Sequence, residues 1–422
     1  MLYKFHEMQN SAMQPLAQWS QVAAKLFSEP ASPFAHLPFA QDIEAGCELL
    51  YRLGKTYDKP RFAITSTLFK GKQVDIRETI VSNKPFCSLR HFRKEVGQQE
   101  LASHAHPKVL LVAPLSGHYA TLLRETVIGL LHDHDVYITD WTDARQVPAS
   151  EGPFDLDDYV HYVQDFIRLL GPEVHVVAIC QPTVPVLGAV SLLASAGDIV
   201  PRSMTLMGGP IDGRIAPTKV NQLATEKPYA WFEKNLIYTV PDNYPGAGRK
   251  VYPGFLQYAG FVAMHPDKHM QSYVDFFKER AAGHPATAHI KFYDEYNAVL
   301  DMTAEFYLAT IKVVFQDFNL AQGNWDVKGE RVRPQDIKHT ALFTVEGEQD
   351  DICGAGQTRV AHALCTSIPD AKKRHLAVPG TGHFGIFSGH RWQQEICPAL
   401  AAFIRQHNND ERASGQPQLA CA

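Results

Sequence analysis

The chain has 422 residues, enough for one large domain with an insertion or for two to three domains. Its composition, 45% hydrophobic and 20% charged, is normal for a globular protein in water. The formal net charge is −5 and the sequence has no long basic run, which argues against a nucleic-acid partner.

The seven cysteines are odd in number, scattered, and without a Cys-x-x-Cys pair. This pattern predicts reduced thiols in a cytoplasm rather than a disulfide framework. The N-terminus lacks the cationic start and apolar core of a signal peptide, and no apolar stretch is long enough to predict a transmembrane helix. The pairs His104/His106 and His132/His134 have no further ligands at zinc-site spacing, so no metal and no cofactor are predicted.

Residues 1–58 are predicted to form an N-terminal helical segment. Apolar side chains recur every three or four positions through residues 2–27, which is typical of one amphipathic helix or of two. The apolar stripe either packs on its own domain or attaches the protein to a hydrophobic particle or lipid surface. A second helix is predicted over residues 43–53.

Residues 59–212 are predicted to be the first part of an α/β core. Strands at 61–68 and 73–81 read as a hairpin at a sheet edge. Further strands at 109–113, 136–141, 174–179 and 203–207 alternate with helices at 120–131 and 155–170 and with an apolar helix that follows Cys180. Such alternation indicates a mostly parallel sheet with helices on both faces.

The strand–helix alternation stops at about residue 213. Residues 213–335 read as helical or irregular and are rich in aromatic side chains, so we interpret them as a cap inserted over the carboxyl edge of the sheet. These aromatics, Trp231 among them, either line a site for an apolar substrate or form the core of the cap. The core pattern resumes over residues 336–407, with strands at 341–345 and 375–378 and a helix at 392–406. The tail 408–422 is polar.

Cys180 lies where a β-branched strand gives way to an apolar helix that begins near Pro182. A side chain on such a strand-to-helix turn is presented above the sheet edge, beside the free N–H groups of the helix, as in a nucleophile elbow. The usual elbow is Gly-x-Ser-x-Gly, whereas this chain has a thiol and neither glycine. The alternative is a buried structural thiol at the end of a strand.

An acid and a histidine follow two later strands in the chain order of α/β hydrolases, which is nucleophile, acid, histidine. His383 follows the last strand, directly after Gly380-Thr381-Gly382. The acid is Asp350 or Asp351, and the turn favours Asp350, while Asp351 fits a local helix cap. The acid would hold the imidazole in the tautomer that accepts the thiol proton.

Two backbone N–H groups are predicted to stabilise the oxyanion. One belongs to Gln181, directly after Cys180, and the other to Leu115 or Ser116, after the strand at 109–113. His118, in the same loop, either contacts substrate or is a surface or capping histidine.

Three segments resemble the intracellular poly(3-hydroxybutyrate) depolymerases of the α/β-hydrolase superfamily: residues 179–184, 346–353 and 380–387. The N-terminal residues 1–33 and 49–55 resemble that family too. The resemblance implies an α/β-hydrolase fold and places Cys180, Asp350 and His383 on the family's triad. It also implies a cytoplasmic esterase on polyester storage granules, with the granule surface and the polyester chain as partners.

Three other functions remain open. A polyhydroxyalkanoate synthase also uses a Cys on this fold, but this chain is shorter and lacks a Gly-x-Cys-x-Gly elbow. A small-molecule Cys hydrolase of the dienelactone type does not need so large an aromatic cap. A catalytically inactive granule-surface protein would not need the complete Cys, Asp and His set. The sequence leaves product length, side-chain preference, CoA as acyl acceptor and homo-oligomer formation undecided.

Overall fold

The structure is a computed structural model that describes residues 2–97 and 106–408. His104 and the tail beyond Asn408 lie outside the described residues. The strands are β1 (Ser66–Phe69), β2 (Lys72–Lys84), β3 (Cys87–Lys94), β4 (Lys108–Val112), β5 (Asp135–Trp141), β6 (Val174–Ile179), β7 (Ser203–Met207), β8 (Tyr238–Thr239), β9 (Lys250–Tyr252), β10 (Met302–Thr303), β11 (Asp326–Val327), β12 (Glu330–Arg331), β13 (Ala341–Gly347) and β14 (Lys373–Val378).

Nine of these strands form one twisted sheet in the order β1-β2-β3-β5-β4-β6-β7-β13-β14. Strands β5, β4, β6, β7, β13 and β14 run parallel to one another. Strands β3, β2 and β1 continue the sheet as an antiparallel edge next to β5. The central strands β6 and β7 are buried along their whole length, because helices cover both faces of a parallel sheet. The chain therefore has the α/β-hydrolase fold, as the sequence predicts.

The helices flank this sheet, build the cap and form the N-terminal segment. They are α1 (Leu2–Ser28), α2 (Ala40–Gly54), α3 (Arg124–Leu131), α4 (Leu156–Leu170), α5 (Thr183–Ser195), α6 (Lys219–Glu226), α7 (Tyr229–Leu236), α8 (Gly254–Met264), α9 (Pro266–Ala281), α10 (Thr287–Tyr296), α11 (Ala304–Thr310), α12 (Asn319–Gln322), α13 (Ala361–Leu364), α14 (Gly389–Arg391) and α15 (Cys397–Asn408). Every one of them within the described residues is too short or too polar to cross a lipid bilayer.

Helix α5 is the central helix of the core. It is apolar on every side and buried from Thr183 through Leu193, since it lies against the middle of the sheet and beneath other elements. Its position fixes the end of β6, the strand that precedes it. A helix that cannot shift without exposing so much apolar surface holds the turn before it in place.

The segment predicted as a cap contains strands as well as helices. Short strands pair there as a three-stranded sheet, β10-β9-β8, and as a hairpin of β11 and β12. The prediction of a purely helical or irregular segment is wrong on this point, because strands of two or three residues are too short to show an alternating pattern. The division of the chain at residues 59, 213 and 336 stays a prediction.

The N-terminal helices pack on the cap segment. The Tyr3 hydroxyl on α1 donates to Asp301 Oδ2 at 2.6 Å, and the ring of His6 stacks on Phe255 with a centroid distance of 4.0 Å. On α2, Arg52 pairs with Asp294 of α10 at 3.1 Å. Residues 2–28 form a single helix, which resolves the choice between one helix and two.

Two parts of the edge sheet differ from the prediction. Strand β3 was not predicted, because residues 87–94 are mostly polar and basic. In the fold, Arg90 pairs with Asp140, and His91 bonds Asp135 at 2.6 Å, so neighbouring strand β5 supplies partners for this polar strand. Strand β1 begins at Ser66, five residues later than predicted.

Candidate active site

Cys180 occupies a tight turn between β6 and α5 and has a left-handed backbone, with φ of 68°. Its N–H donates to the carbonyl of Met207 on β7 at 2.7 Å, and the N–H and hydroxyl of Thr183 donate to its carbonyl at 3.1 and 2.9 Å. A left-handed conformation costs a residue other than glycine about 1–2 kcal/mol. The surrounding hydrogen bonds therefore hold Cys180 in the geometry of a nucleophile elbow.

The close packing at this elbow depends on two glycines that directly follow β7. A Cβ at Gly209, after β7, would lie 1.7 Å from Oγ1 of Thr183. A Cβ at Gly208, where φ is 53°, would lie 2.4 Å from Ile386 and 3.3 Å from Oδ2 of Asp350. This chain therefore obtains the room for a tight turn from residues 208 and 209 and not from glycines flanking Cys180.

Asp350 directs its carboxylate at His383. Oδ2 accepts a hydrogen bond from His383 Nδ1 at 2.8 Å, while Oδ1 accepts from the N–H groups of Ile352 and Cys353 at 2.9 and 2.8 Å. Both oxygens are thus engaged, and the carboxylate cannot rotate without losing bonds. Asp351, the alternative acid, points elsewhere and pairs with His265 of the cap at 2.6 Å.

His383 is buried and lies between Cys180 and Asp350. Burial lowers its pKa, but the charges of Cys180 and Asp350, together with the hydrogen bond to Asp350, outweigh burial and hold the pKa of His383 well above its ordinary value. The environment therefore favours the uptake of a proton by the imidazole. The structure thus brings the three predicted residues together: Cys180 and His383 line one cavity, and His383 is hydrogen-bonded to Asp350.

The residues that carry the predicted oxyanion donors line the same cavity as Cys180, but one of the three N–H groups already has an acceptor. The Leu115 N–H donates to Oε1 of the Gln181 side chain at 3.3 Å, so this donor already has a partner. The N–H groups of Gln181 and Ser116 have no acceptor among the described residues. Sequence reasoning could not anticipate the bond to Leu115, because it depends on the side-chain rotamer of Gln181.

A cavity of about 490 Å³ opens above Cys180 and reaches into the cap. Its wall is mostly apolar and contains Phe232, Phe261, Phe306, Tyr307 and Phe315 from the cap. Cys180, Gln181, Ser116 and His383 form its floor. An apolar cavity with a few convergent polar groups is typical of a site for a small or chain-like organic substrate.

The two predicted substrate contacts differ in position. His118 lines the cavity, donates from Nε2 to the carbonyl of Tyr296 at 3.1 Å, and is buried. Burial lowers the pKa of His118 to about 4, so this ring is neutral at neutral pH. Trp231 is not among the lining residues and packs edge-on against Phe232, whose ring does line the cavity.

Sequence reasoning missed Gln257 and Cys353 of the cavity wall. Gln257 lies on α8 of the cap and is buried, and Cys353 lies just after Asp350. Neither position carries a motif, and only the closure of the cap over the sheet edge brings Gln257 to the cavity.

Within residues 2–97 and 106–408, no group of three or more His, Cys, Asp and Glu side chains is arranged to hold a metal ion.

The sequence of residues 208–408 matches the family described as PHB de-polymerase C-terminus. The poly(3-hydroxyalkanoate) polymerase subunit PhaC of Allochromatium vinosum is 28% identical over 348 residues, which cover 79% of this chain and 89% of that protein.

Solved structures with a similar fold include a hydrolase from Pseudomonas aeruginosa PA01, at 14% identity and a TM-score of 0.44, covering 78% of this chain and 98% of that one. The monoacylglycerol lipase of Paleococcus ferrophilus, at 13% identity and a TM-score of 0.41, covers 71% of this chain and 94% of that one.

Proposed function

We propose, from the match of residues 208–408 to the family described as PHB de-polymerase C-terminus, that this protein is a carboxylic ester hydrolase that cleaves stored poly(3-hydroxybutyrate). The observation that carries the proposal is the placement of Cys180 and His383 together at the floor of an apolar cavity, with His383 hydrogen-bonded to Asp350 at 2.8 Å. A nucleophile, a base and an orienting acid in this arrangement are the components of acyl transfer.

In the proposed first step, His383 takes the proton of the Cys180 thiol and the thiolate attacks an ester carbonyl of the polyester. The tetrahedral intermediate collapses, the C–O bond of the ester breaks, and the alcohol end leaves with the proton from His383. The product on the enzyme is an acyl thioester at Cys180. Water, deprotonated by His383, then attacks the thioester and restores the thiol.

The negative oxygen of each tetrahedral intermediate would be stabilised by the N–H groups of Gln181 and Ser116. Removing one preorganised donor of this kind from an acyl-transfer enzyme raises the reaction barrier by about 3–4 kcal/mol. The Leu115 N–H joins them if the Gln181 side chain swings away. These steps use side chains and backbone groups of this chain and water.

The test uses purified protein and amorphous poly(3-hydroxybutyrate) granules. We expect release of hydroxybutyrate acid, and loss of that release in the Cys180→Ala variant. Cys47→Ala is the matched control, because Cys47 is a half-buried thiol on α2. Equal release by Cys180→Ala and the wild type would contradict the proposed nucleophile.

A polyester synthase is the second candidate, and the likeness to a poly(3-hydroxyalkanoate) polymerase subunit favours it. The same protein is therefore incubated with hydroxybutyryl-CoA. Polymer growth from the CoA ester without acid release from granules would favour the synthase. Activity in neither assay would favour a catalytically inactive granule-surface protein or a hydrolase of small esters, which a panel of soluble esters separates.

The proposed location is the cytoplasm, at the surface of polyester granules. Helix α1 presents large apolar side chains to solvent, among them Phe5, Met8, Trp19 and Val22, which are 56–66% exposed. Residues 8–24 contain no Asp, Glu, Lys or Arg, so this surface is neutral, as a polyester is. An anionic lipid surface would instead favour basic residues.

The attachment is tested by granule co-sedimentation of a Trp19→Ser, Val22→Ser double variant. We expect most of the protein to remain in the supernatant, whereas Leu169→Ser, which alters a comparably exposed residue of α4 at 54%, should sediment like the wild type. Unchanged sedimentation of the double variant would remove α1 as the attachment surface.

A further inference from the structure

Gln257 is a buried polar residue in the apolar wall of the cavity. It lies on α8 of the cap and is only 4% exposed. Its Nε2 group donates to the carbonyls of Tyr252 and Leu300, at 3.0 and 3.3 Å, so both amide hydrogens are used. Its Oε1 atom is buried and has no hydrogen-bond partner among the described residues.

The orientation of this amide is fixed by its neighbours. If the group were rotated by half a turn, Oε1 would face two carbonyl oxygens and both hydrogens of Nε2 would lose their acceptors. A buried polar atom without a partner is rare in folded proteins and calls for an explanation. Because Oε1 is only an acceptor, the missing partner must be a donor.

The unpartnered atom lies beside the loop that carries the proposed oxyanion donors. A Cβ at Gly117 would be 2.6 Å from Oε1, and Gly117 has φ of 102°, so glycine is what allows the two to approach. Gly117 directly follows Ser116 and lies two residues after Leu115. Because two residues of extended backbone span at most about 7 Å, Gly117 lies within that distance of both residues. Oε1 is therefore near the carbonyl end of a bound ester.

We infer that Gln257 Oε1 accepts a hydrogen bond from the free 3-hydroxyl of the acyl unit that is transferred to Cys180. This inference rests on the proposed function. A hydroxyl is the donor that a hydroxyalkanoate offers two carbons from its ester carbonyl. Gln257 is then a specificity-determining residue, and the cavity is a subsite for a hydroxyacyl group.

The inference also selects which end of the polymer reacts. In an internal unit of the polyester the 3-oxygen is esterified and has no hydrogen to donate. Only the unit at the hydroxyl end of the chain satisfies Oε1. The enzyme then removes units from the hydroxyl end and releases the monomer acid.

The experiment compares ethyl 3-hydroxybutyrate with ethyl butyrate, which differ by this hydroxyl. For the wild type we expect kcat/KM to favour the hydroxy ester. In Gln257→Met, which keeps the volume and removes the acceptor, we expect the ratio of the two kcat/KM values to fall at least about tenfold. A wild type that cleaves both esters equally, or a variant with an unchanged ratio, would overturn the inference.

A second measurement uses a linear trimer of 3-hydroxybutyrate and the same trimer acetylated at its hydroxyl end. The wild type should release monomer from the free trimer at least about tenfold faster, and Gln257→Met should lose this difference. Equal losses on both trimers would mean that Gln257 only supports the fold of the cap, and would overturn the inference. A wild type that cleaves no ester at all would instead refute the proposed function itself.

Discussion

Replacing Asp350 with Asn should reverse the hydrogen bonding of His383 while leaving the fold intact. The N–H groups of Ile352 and Cys353 bond Oδ1 at 2.9 and 2.8 Å, so the amide oxygen of Asn must take that place. The amide nitrogen then faces His383 Nδ1, which lies 2.8 Å from Oδ2 in the wild type, and must donate to it. The imidazole is thereby forced to carry its hydrogen on Nε2 and cannot accept the thiol proton.

The size of the effect follows from the tautomer. The same exchange in a Ser-His-Asp triad lowers kcat about 10⁴-fold because the histidine has the wrong tautomer. At about 1.4 kcal/mol for each factor of ten, the barrier rises by about 5.5 kcal/mol. We expect a loss of this order for Asp350→Asn on a soluble hydroxybutyrate ester, without a change in the circular dichroism spectrum.

The neighbouring variant Asp351→Asn is the control for this experiment. Asp351 pairs with His265 at 2.6 Å, and its side chain is 45% exposed, so the exchange removes only a surface ion pair worth about 0–1 kcal/mol. Its kcat should stay within twofold of the wild type. The reasoning is refuted if Asp350→Asn keeps more than a tenth of kcat, or if Asp351→Asn loses as much.

Two further predictions concern the packing beneath the site and a buried histidine. Gly208→Ala should lower both esterase activity and the melting temperature, because the new Cβ would lie 2.4 Å from Ile386 and 3.3 Å from Oδ2 of Asp350. Gly197→Ala has a similar φ of 67° but no heavy atom within 4 Å, so it should cost only about 1–2 kcal/mol of strain and leave kcat unchanged; equal losses in the two variants would contradict the packing argument. Burial lowers the pKa of His175 to about 3, so on acidification the unfolded chain takes up the proton first, and stability falls as the pH drops below about 6.5. In urea titrations the wild type should lose about 2 kcal/mol more than His175→Gln between pH 7 and pH 5, and a parallel loss would show that His175 is not the source.

The sequence was sufficient to place Cys180 and His383 together because each follows a strand of one parallel sheet. The carboxyl ends of such strands meet at one edge, so residues more than 200 positions apart become neighbours. It also favoured Asp350 over Asp351 from the turn alone, and the side-chain directions agree with that choice.

The contacts made through the cap could not be predicted. Trp231 and Phe232 are adjacent in the sequence and equally aromatic, yet only Phe232 lines the cavity, because α7 turns one face toward it. Gln257 lies in an apolar helix with no motif around it. Which side of a cap helix faces the sheet depends on how the cap closes over the core, and periodicity does not carry that information.

The left-handed backbone at Cys180 has a consequence for the thermal stability of the protein. Glycine avoids the steric penalty of about 1–2 kcal/mol for this backbone, which exceeds the ~0.5–1 kcal/mol that glycine loses in chain entropy, so Cys180→Gly should unfold at a higher temperature than the wild type while having no thiol at the turn. Cys180→Ala keeps a Cβ and should gain nothing. A sequence selected only for thermal stability would therefore favour glycine at this position, and the cysteine found there carries a cost in stability that its proposed role as nucleophile explains.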